Sequence, residues 1–297
     1  MNELIGIDPG LAVYYAVDFL IIAAILASMR KLAGVVGNVS AHAELSERDN
    51  HAFGISLAGA AIAVAIMLMG AVSGEAAKNP ASEAFIMLAY GGLGLVLMAI
   101  TRKIFDNISL PDISIHSEIM KGNIAAALVD AGNMIATAII LRAVMVWVDS
   151  NSLVGLLFVL GGFLVSQVIM VAATAYRRRV YARHHGDSDL HKQLEQGNAA
   201  LALRFAGHRI GIALAVTGAS GIVIYTDAQL ITGLATWSGV AVLMFITLTV
   251  LAILIRKAVL PGINVAEEVN QQGNIAIGAI EAAVYIAVGL LLAGLFG

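Results

Sequence analysis

Long uninterrupted runs of apolar residues, separated by short clusters of charged and turn-forming residues, dominate the chain. Eight runs reach the roughly 20 residues that a helix needs to cross a hydrocarbon core of about 30 Å. They lie near 9–29, 51–73, 80–101, 122–147, 151–175, 199–224, 230–255 and 273–296. Lipid offers the backbone no hydrogen-bond partner, so such runs fold as helices or as a closed barrel. Barrel strands alternate polar and apolar positions over about 10 residues, whereas these runs are continuous and longer. The pattern predicts an all-α integral membrane protein with eight transmembrane helices.

Composition agrees with this reading. The 297 residues are 60% hydrophobic and 12% charged, against roughly 45–50% and 25% in a soluble domain, and mean hydropathy is +0.89. A net charge of −3 without a large basic patch excludes a nucleic-acid binder. The absence of Cys removes disulfides, thiolate nucleophiles, Cys-ligated zinc and covalently attached haem. Of the 17 basic residues, all but Lys78, Arg142, Arg204 and Arg209 fall in the loops after the first, third, fifth and seventh runs. The positive-inside rule then makes those loops cytoplasmic and puts both termini outside. Arg142 ends a helix, where its long stem can snorkel beside Trp147. The first ten residues carry no basic n-region, so a cleaved signal peptide is not expected.

The chain repeats internally. DN50-HAFGISLAG, GN123-IAAALVDAG, GN198-AALALRFAG and GN274-IAIGAIEAA align on Asn50, Asn123, Asn198 and Asn274, at steps of 73, 75 and 76 residues. Each asparagine follows a basic cluster near Arg30, Arg102, Arg177 or Arg256 by 18 to 21 residues, and LPDI and LPGI precede the second and fourth. The chain divides into two four-helix repeats, 1–149 and 150–297, each made of two helix pairs. Every pair enters the membrane the same way, so the repeat is parallel rather than inverted. A pseudo-fourfold or pseudo-twofold ring about the membrane normal is one natural arrangement.

The repeated (G/D)N-x-A helix starts and the LP-x-I loop before the last helix of each half resemble the YjfL-like bacterial inner-membrane family, the domain-of-unknown-function family three-fifty, in two tandem copies. The resemblance implies a multi-pass location in the bacterial cytoplasmic (inner) membrane. It supplies no catalytic residues.

A charge at the bilayer centre costs roughly 2.5–3.5 kcal/mol on insertion scales, so ionisable residues inside the runs are the candidate chemistry. Asp130 and Glu281 each lie seven residues after a motif asparagine, at equivalent places in the two halves. Seven residues is nearly two turns, which puts asparagine and carboxylate on one face about 10 Å apart along the axis. Such a pair serves either as a cation or proton site or as interhelical partners for Arg204 and Arg209. With Asp18, the set is nearly charge-balanced, which favours pairing. The halves differ: Ser56 and Ala61 stand where the second half has Arg204 and Arg209. His208 shares a face with Arg204 and is either a relay member or a hydrogen-bonded packing histidine. The four asparagines read as helix N-caps, and small-residue pairs such as Gly54–Ala58 and Ala202–Ala206 as close helix packing.

The loop after the fifth run holds Arg177, Arg178 and Arg179, suited to anionic lipid headgroups. Its His184, His185, Asp187, Asp189 and His191 read as a solvated stretch rather than a metal site. No phosphate-binding loop, HExxH, GxSxG or TVGYG motif occurs. The sequence therefore points to a non-enzymatic membrane protein with no cofactor or metal, for which oligomers stay open. The leading expectation is permeation or sensing of a small cation or proton through Asp130 and Glu281, tuned by Asp18, Arg204 and His208. The alternative is a non-transporting membrane scaffold or stress-response subunit that docks a peripheral cytoplasmic protein.

Overall fold

The structure, a computed structural model, describes residues 11–37, 39–73, 79–148, 153–185, 190–226 and 229–297. Among these residues it is built from helices and turns: α1 (Ala12–Gly37), α2 (His51–Val72), α3 (Pro80–Ile104), α4 (Ile115–Met120), α5 (Ile124–Trp147), α6 (Leu153–His185), α7 (Leu190–Glu195), α8 (Ala199–Ile222), α9 (Leu230–Val259), α10 (Val265–Asn270) and α11 (Ile275–Phe296). Helices α1, α2, α3, α5, α6, α8, α9 and α11 are long and apolar enough to cross a membrane. The chain is a multi-pass membrane protein.

The helices coincide with the eight apolar runs and overshoot some of them. Helix α3 continues into a π-helical turn at Phe105–Ser109, and α6 runs for 33 residues. Arg and Lys are good helix formers, so the helix persists where the apolar run stops. Apolarity also gives no sign of α4, α7 and α10, which precede α5, α8 and α11. A π-helical turn at Ala43–Glu47 takes the same place before α2.

The four units are α1 with α2, α3 with α5, α6 with α8, and α9 with α11. Their second helices pack side by side in the order α2, α5, α8, α11, and this row carries the most extensive helix contacts. Helices α1, α3, α6 and α9 flank it as a looser layer. The row is open, with α2 and α11 at its ends, and the ring allowed by a parallel repeat does not form among the described residues. The reason lies in the seam. The glycine nine residues after each of the first three motif asparagines meets the alanine eight residues after the next one: Gly59 meets Ala131, Gly132 meets Ala206 and Gly207 meets Ala282. Each helix thus uses one face towards the unit before and another towards the unit after. Such heterologous contacts extend until the rotation per step closes them.

A Cβ on Gly132 would stand 2.5 Å from the Cβ and 2.7 Å from the Cα of Ala206, so only glycine lets the backbones approach this far. The pair Ala202–Ala206 belongs to this seam. The pair Gly54–Ala58 does not: Gly54 meets only the Leu45 side chain, and Ala58 is exposed because α2 has no neighbour on that side. Trp147, the last residue of α5, is buried in an aromatic cluster with Phe158, Tyr225 and Trp237.

Buried apolar residues form two clusters. One contains Phe53, Phe105 and Phe205 near the basic end of the bundle, and the other runs from Ala60 to the opposite end. Asp130, Arg209 and Glu281 lie between them along α5, α8 and α11.

Candidate functional site

The motif asparagines set the register. Each caps its helix, the side-chain oxygen accepting from the N–H of Phe53, Ala126, Leu201 or, for Asn274, Ala276 and Ile277. The residue before each has positive φ: Asp49 47°, Gly122 86°, Gly197 82° and Gly273 63°. Only glycine adopts this region freely, and aspartate is among the few others that tolerate it. That requirement is the physical content of the (G/D)N motif.

The asparagine amides do more than the capping expectation foresaw. Asn50 Nδ2 donates to Glu44 at 3.0 Å and to the Ile119 carbonyl of the next unit at 3.1 Å. Asn123 donates to Glu118 at 3.1 Å and to the Leu194 carbonyl at 2.8 Å, and Asn198 to Gln193 at 3.2 Å and to the Val269 carbonyl at 3.0 Å. Lys121, 2.6 Å from Glu118, holds that carboxyl below its ordinary range, with help from the Asn123 amide. The motif is therefore a latch between consecutive units. Among the described residues Asn274 donates only to Glu268, at 2.8 Å. Asn123→Ala is expected to destabilise the monomer in detergent by about 1 kcal/mol more than Asn274→Ala, the worth of one hydrogen bond. Equal losses in denaturant unfolding would contradict the latch.

Two turns deeper lie the carboxylates. Asp130 is 1% exposed and takes a two-point contact from Arg102, Nε to Oδ1 at 3.1 Å and Nη2 to Oδ2 at 2.5 Å. The Ser56 hydroxyl donates to Oδ2 at 2.5 Å and accepts from Arg102 at 3.2 Å. Glu281 is 0% exposed, with Arg256 Nη1 at 2.9 Å from Oε1 and Arg204 Nε at 2.5 Å from Oε2. The two centres are equivalent: Asp130 matches Glu281, Arg102 matches Arg256 and Ser56 matches Arg204. Their charges differ. A cavity of about 50 Å³ borders the first centre, and its lining holds two carboxylates, Asp130 and Asp106, and the guanidinium of Arg102. The second sets two guanidiniums on one carboxylate.

The pairing expectation is met for Arg204 and corrected for Arg209. Arg209 is fully buried and donates to Thr174 at 2.8 Å and Asn133 at 2.6 Å, while its guanidinium lies over Phe105 at 4.8 Å. Neutral acceptors and aromatic faces hold this cation, an arrangement that suits the flat guanidinium group. His208 packs edge-on against Tyr285 at 4.8 Å, close to the Glu281 centre rather than the cavity. Asp18 is buried near Glu83 in the first turn of α3, at the other end of the bundle, and joins neither centre.

Arg102, Arg256 and Asp106 are the site residues that sequence reasoning missed. The arginines follow the apolar runs and read as loop charges, yet their stems reach back into the bundle. The recurring Arg–Lys pair before each proline loop is the signal that marks them.

Residues 186–189, with Asp187 and Asp189, and the side chains of His184 and His185 lie outside the described residues. His191 is buried, its Nδ1 2.8 Å from the Asp112 carboxylate. Among the described residues no group of three metal-ligating side chains converges.

No curated protein and no solved structure matches the chain. The family DUF350, described as a Domain of Unknown Function, matches residues 6–145, 78–218 and 150–296. The matched segments overlap and begin 72 residues apart, the step of one two-helix unit, so each spans two units. Matched from one end to the other, the chain belongs to the DUF350 family, as a tandem series of its repeating units.

Proposed function

We propose that the protein binds a small cation or a proton at the Asp130 centre, as the basis of permeation or sensing. The observation that carries this reading is the cavity beside Ser56, Arg102, Asp106 and Asp130. Two carboxylates and one guanidinium in the lining leave a negative excess at the edge of a membrane interior, and 50 Å³ exceeds the roughly 10–15 Å³ that one water molecule needs. A desolvated carboxylate is stabilised by any cation that reaches it, a proton included. Glu281, already between two guanidiniums, acts in this reading as their fixed counter-ion.

The reading sets the chain in a bacterial cytoplasmic membrane with both termini outside, because its basic residues crowd the end where α2, α5, α8 and α11 begin. The cavity, walled in part by His116 of α4, then lies on the cytoplasmic side. The role is non-enzymatic and needs no cofactor.

The test is charge movement in proteoliposomes on a solid-supported membrane after a pH or cation jump. A transient reports binding and a sustained current reports passage. Wild type is expected to give at least the transient, and Asp130→Asn to lose it. Equal responses from both would overturn the proposal.

A second reading, a scaffold for an acidic peripheral protein, draws on the stretch of α6 beyond its apolar run, which carries Arg177, Arg178 and Arg179.

A further inference from the structure

We infer that the protein assembles head to tail with further copies of itself, the exposed edge of α11 in one copy packing on the exposed edge of α2 in the next. Three copies of the seam inside the chain show what each edge is built for. On the leading side of a unit, the seam uses the position nine residues after the motif asparagine and, in two of its three copies, the position twenty residues after it. Gly59, Gly132 and Gly207 fill the first against Ala131, Ala206 and Ala282. Gly70 and Gly218 fill the second, pressed on Arg142 and on Phe296 with Leu292. In α11 the same two positions are Ala283 and Gly294. Both are exposed, and a Cβ on Gly294 would meet nothing within 4 Å.

The opposite edge matches it. On the trailing side the seam uses the alanine eight residues after the asparagine. That residue in α2 is Ala58, and it is exposed. The position nineteen residues on, where Arg142 meets Gly70, is Met69 in α2, which is 54% exposed. The two edges of the row thus carry the counterparts of the interface made three times internally, with Ala283 in the place of the seam glycine, so its methyl group holds the two backbones further apart between copies than within one.

A second, polar feature points the same way. Asn50, Asn123 and Asn198 each donate to a carbonyl of the following unit, whereas Asn274 makes no such bond among the described residues. In the assembly its amide meets the carbonyls of the Ala43–Glu47 turn of the next copy, which holds the place of α4, α7 and α10. The occupant is a second copy because the interface continues one already formed. Lipid chains would leave the furrow of small residues poorly packed, and it is close backbone approach that stabilises helix pairs in membranes. The contact is heterologous, so copies close into a ring or extend as a filament according to the angle per copy.

The chain has no cysteine, which makes the test direct. Two differently tagged copies, one Ala58→Cys and one Ala283→Cys, are co-expressed and oxidised in the membrane. A disulfide-linked pair carrying both tags is expected, several-fold above the yield from Ala58→Cys with itself or Ala283→Cys with itself. Ala58→Trp and Ala283→Trp, both at exposed positions, are expected to leave the monomer's unfolding midpoint unchanged while reducing assemblies in nanodiscs to monomers. A wild-type monomer at every protein-to-lipid ratio would overturn the inference, as would cross-links that form only between identical positions. Neither result bears on the Asp130 centre, which lies inside one copy.

Discussion

Gly132→Val is expected to abolish the accumulation of folded protein, the largest loss that a single apolar substitution should cause here. Any Cβ at residue 132 lands 2.5 Å from the Ala206 Cβ and 2.7 Å from its Cα. The obstacle is backbone and cannot rotate away, so α5 and α8 must separate. Their separation also pulls Asn123 from the Leu194 carbonyl and Arg209 from Asn133. Overpacking alone costs typically 1–3 kcal/mol, and the lost polar contacts add to it. Gly92→Val supplies the control, because a Cβ at Gly92 meets nothing within 4 Å. Membrane yield and size-exclusion profile of the two variants check the contrast. Comparable yields would show that the row is not held by backbone contact at this seam.

Arg102→Ala is the second large effect, expected to destabilise the protein by about 3–5 kcal/mol, the usual cost of stranding a buried charge by removing its partner. Asp130 is 1% exposed and keeps only the Ser56 hydroxyl once the guanidinium is gone. Adding Asp130→Asn to Arg102→Ala removes the stranded charge, so the double variant is expected to be more stable than Arg102→Ala alone. Thermal unfolding of the single and double variants in detergent measures the coupling. Additive losses would mean that the two side chains do not depend on each other.

Much of the architecture can be read before any coordinates, and the gaps have physical causes. Continuous apolarity marks the eight spanning helices, because nothing but a helix satisfies its own backbone in lipid. The four asparagines read as caps for the same kind of reason. The equivalence of Asp130 and Glu281 follows from spacing alone. Their partners do not. Arg102 and Arg256 come after the apolar runs, and only the path of a long side chain brings them back beside a carboxylate 28 or 25 residues further on. Charge alone matches Arg209 with acids, whereas Asn133 and Thr174, from other helices, hold it. A repeat fixes the contact each unit makes with the next but not the angle per step, so sequence alone does not separate a ring from an open row. The short helices α4, α7 and α10 sit below the length at which periodicity speaks.

The Asp130 centre rests most directly on the charge displaced when the protein meets protons or cations. Wild type, Asp130→Asn and Asp18→Asn, reconstituted at equal density in solid-supported membranes, give the decisive comparison. The cavity beside Asp130 predicts a transient in wild type that survives in Asp18→Asn, whose carboxylate is at the far end of the bundle, and disappears in Asp130→Asn. A transient that persists unchanged in Asp130→Asn, or one lost equally in both variants, would contradict it.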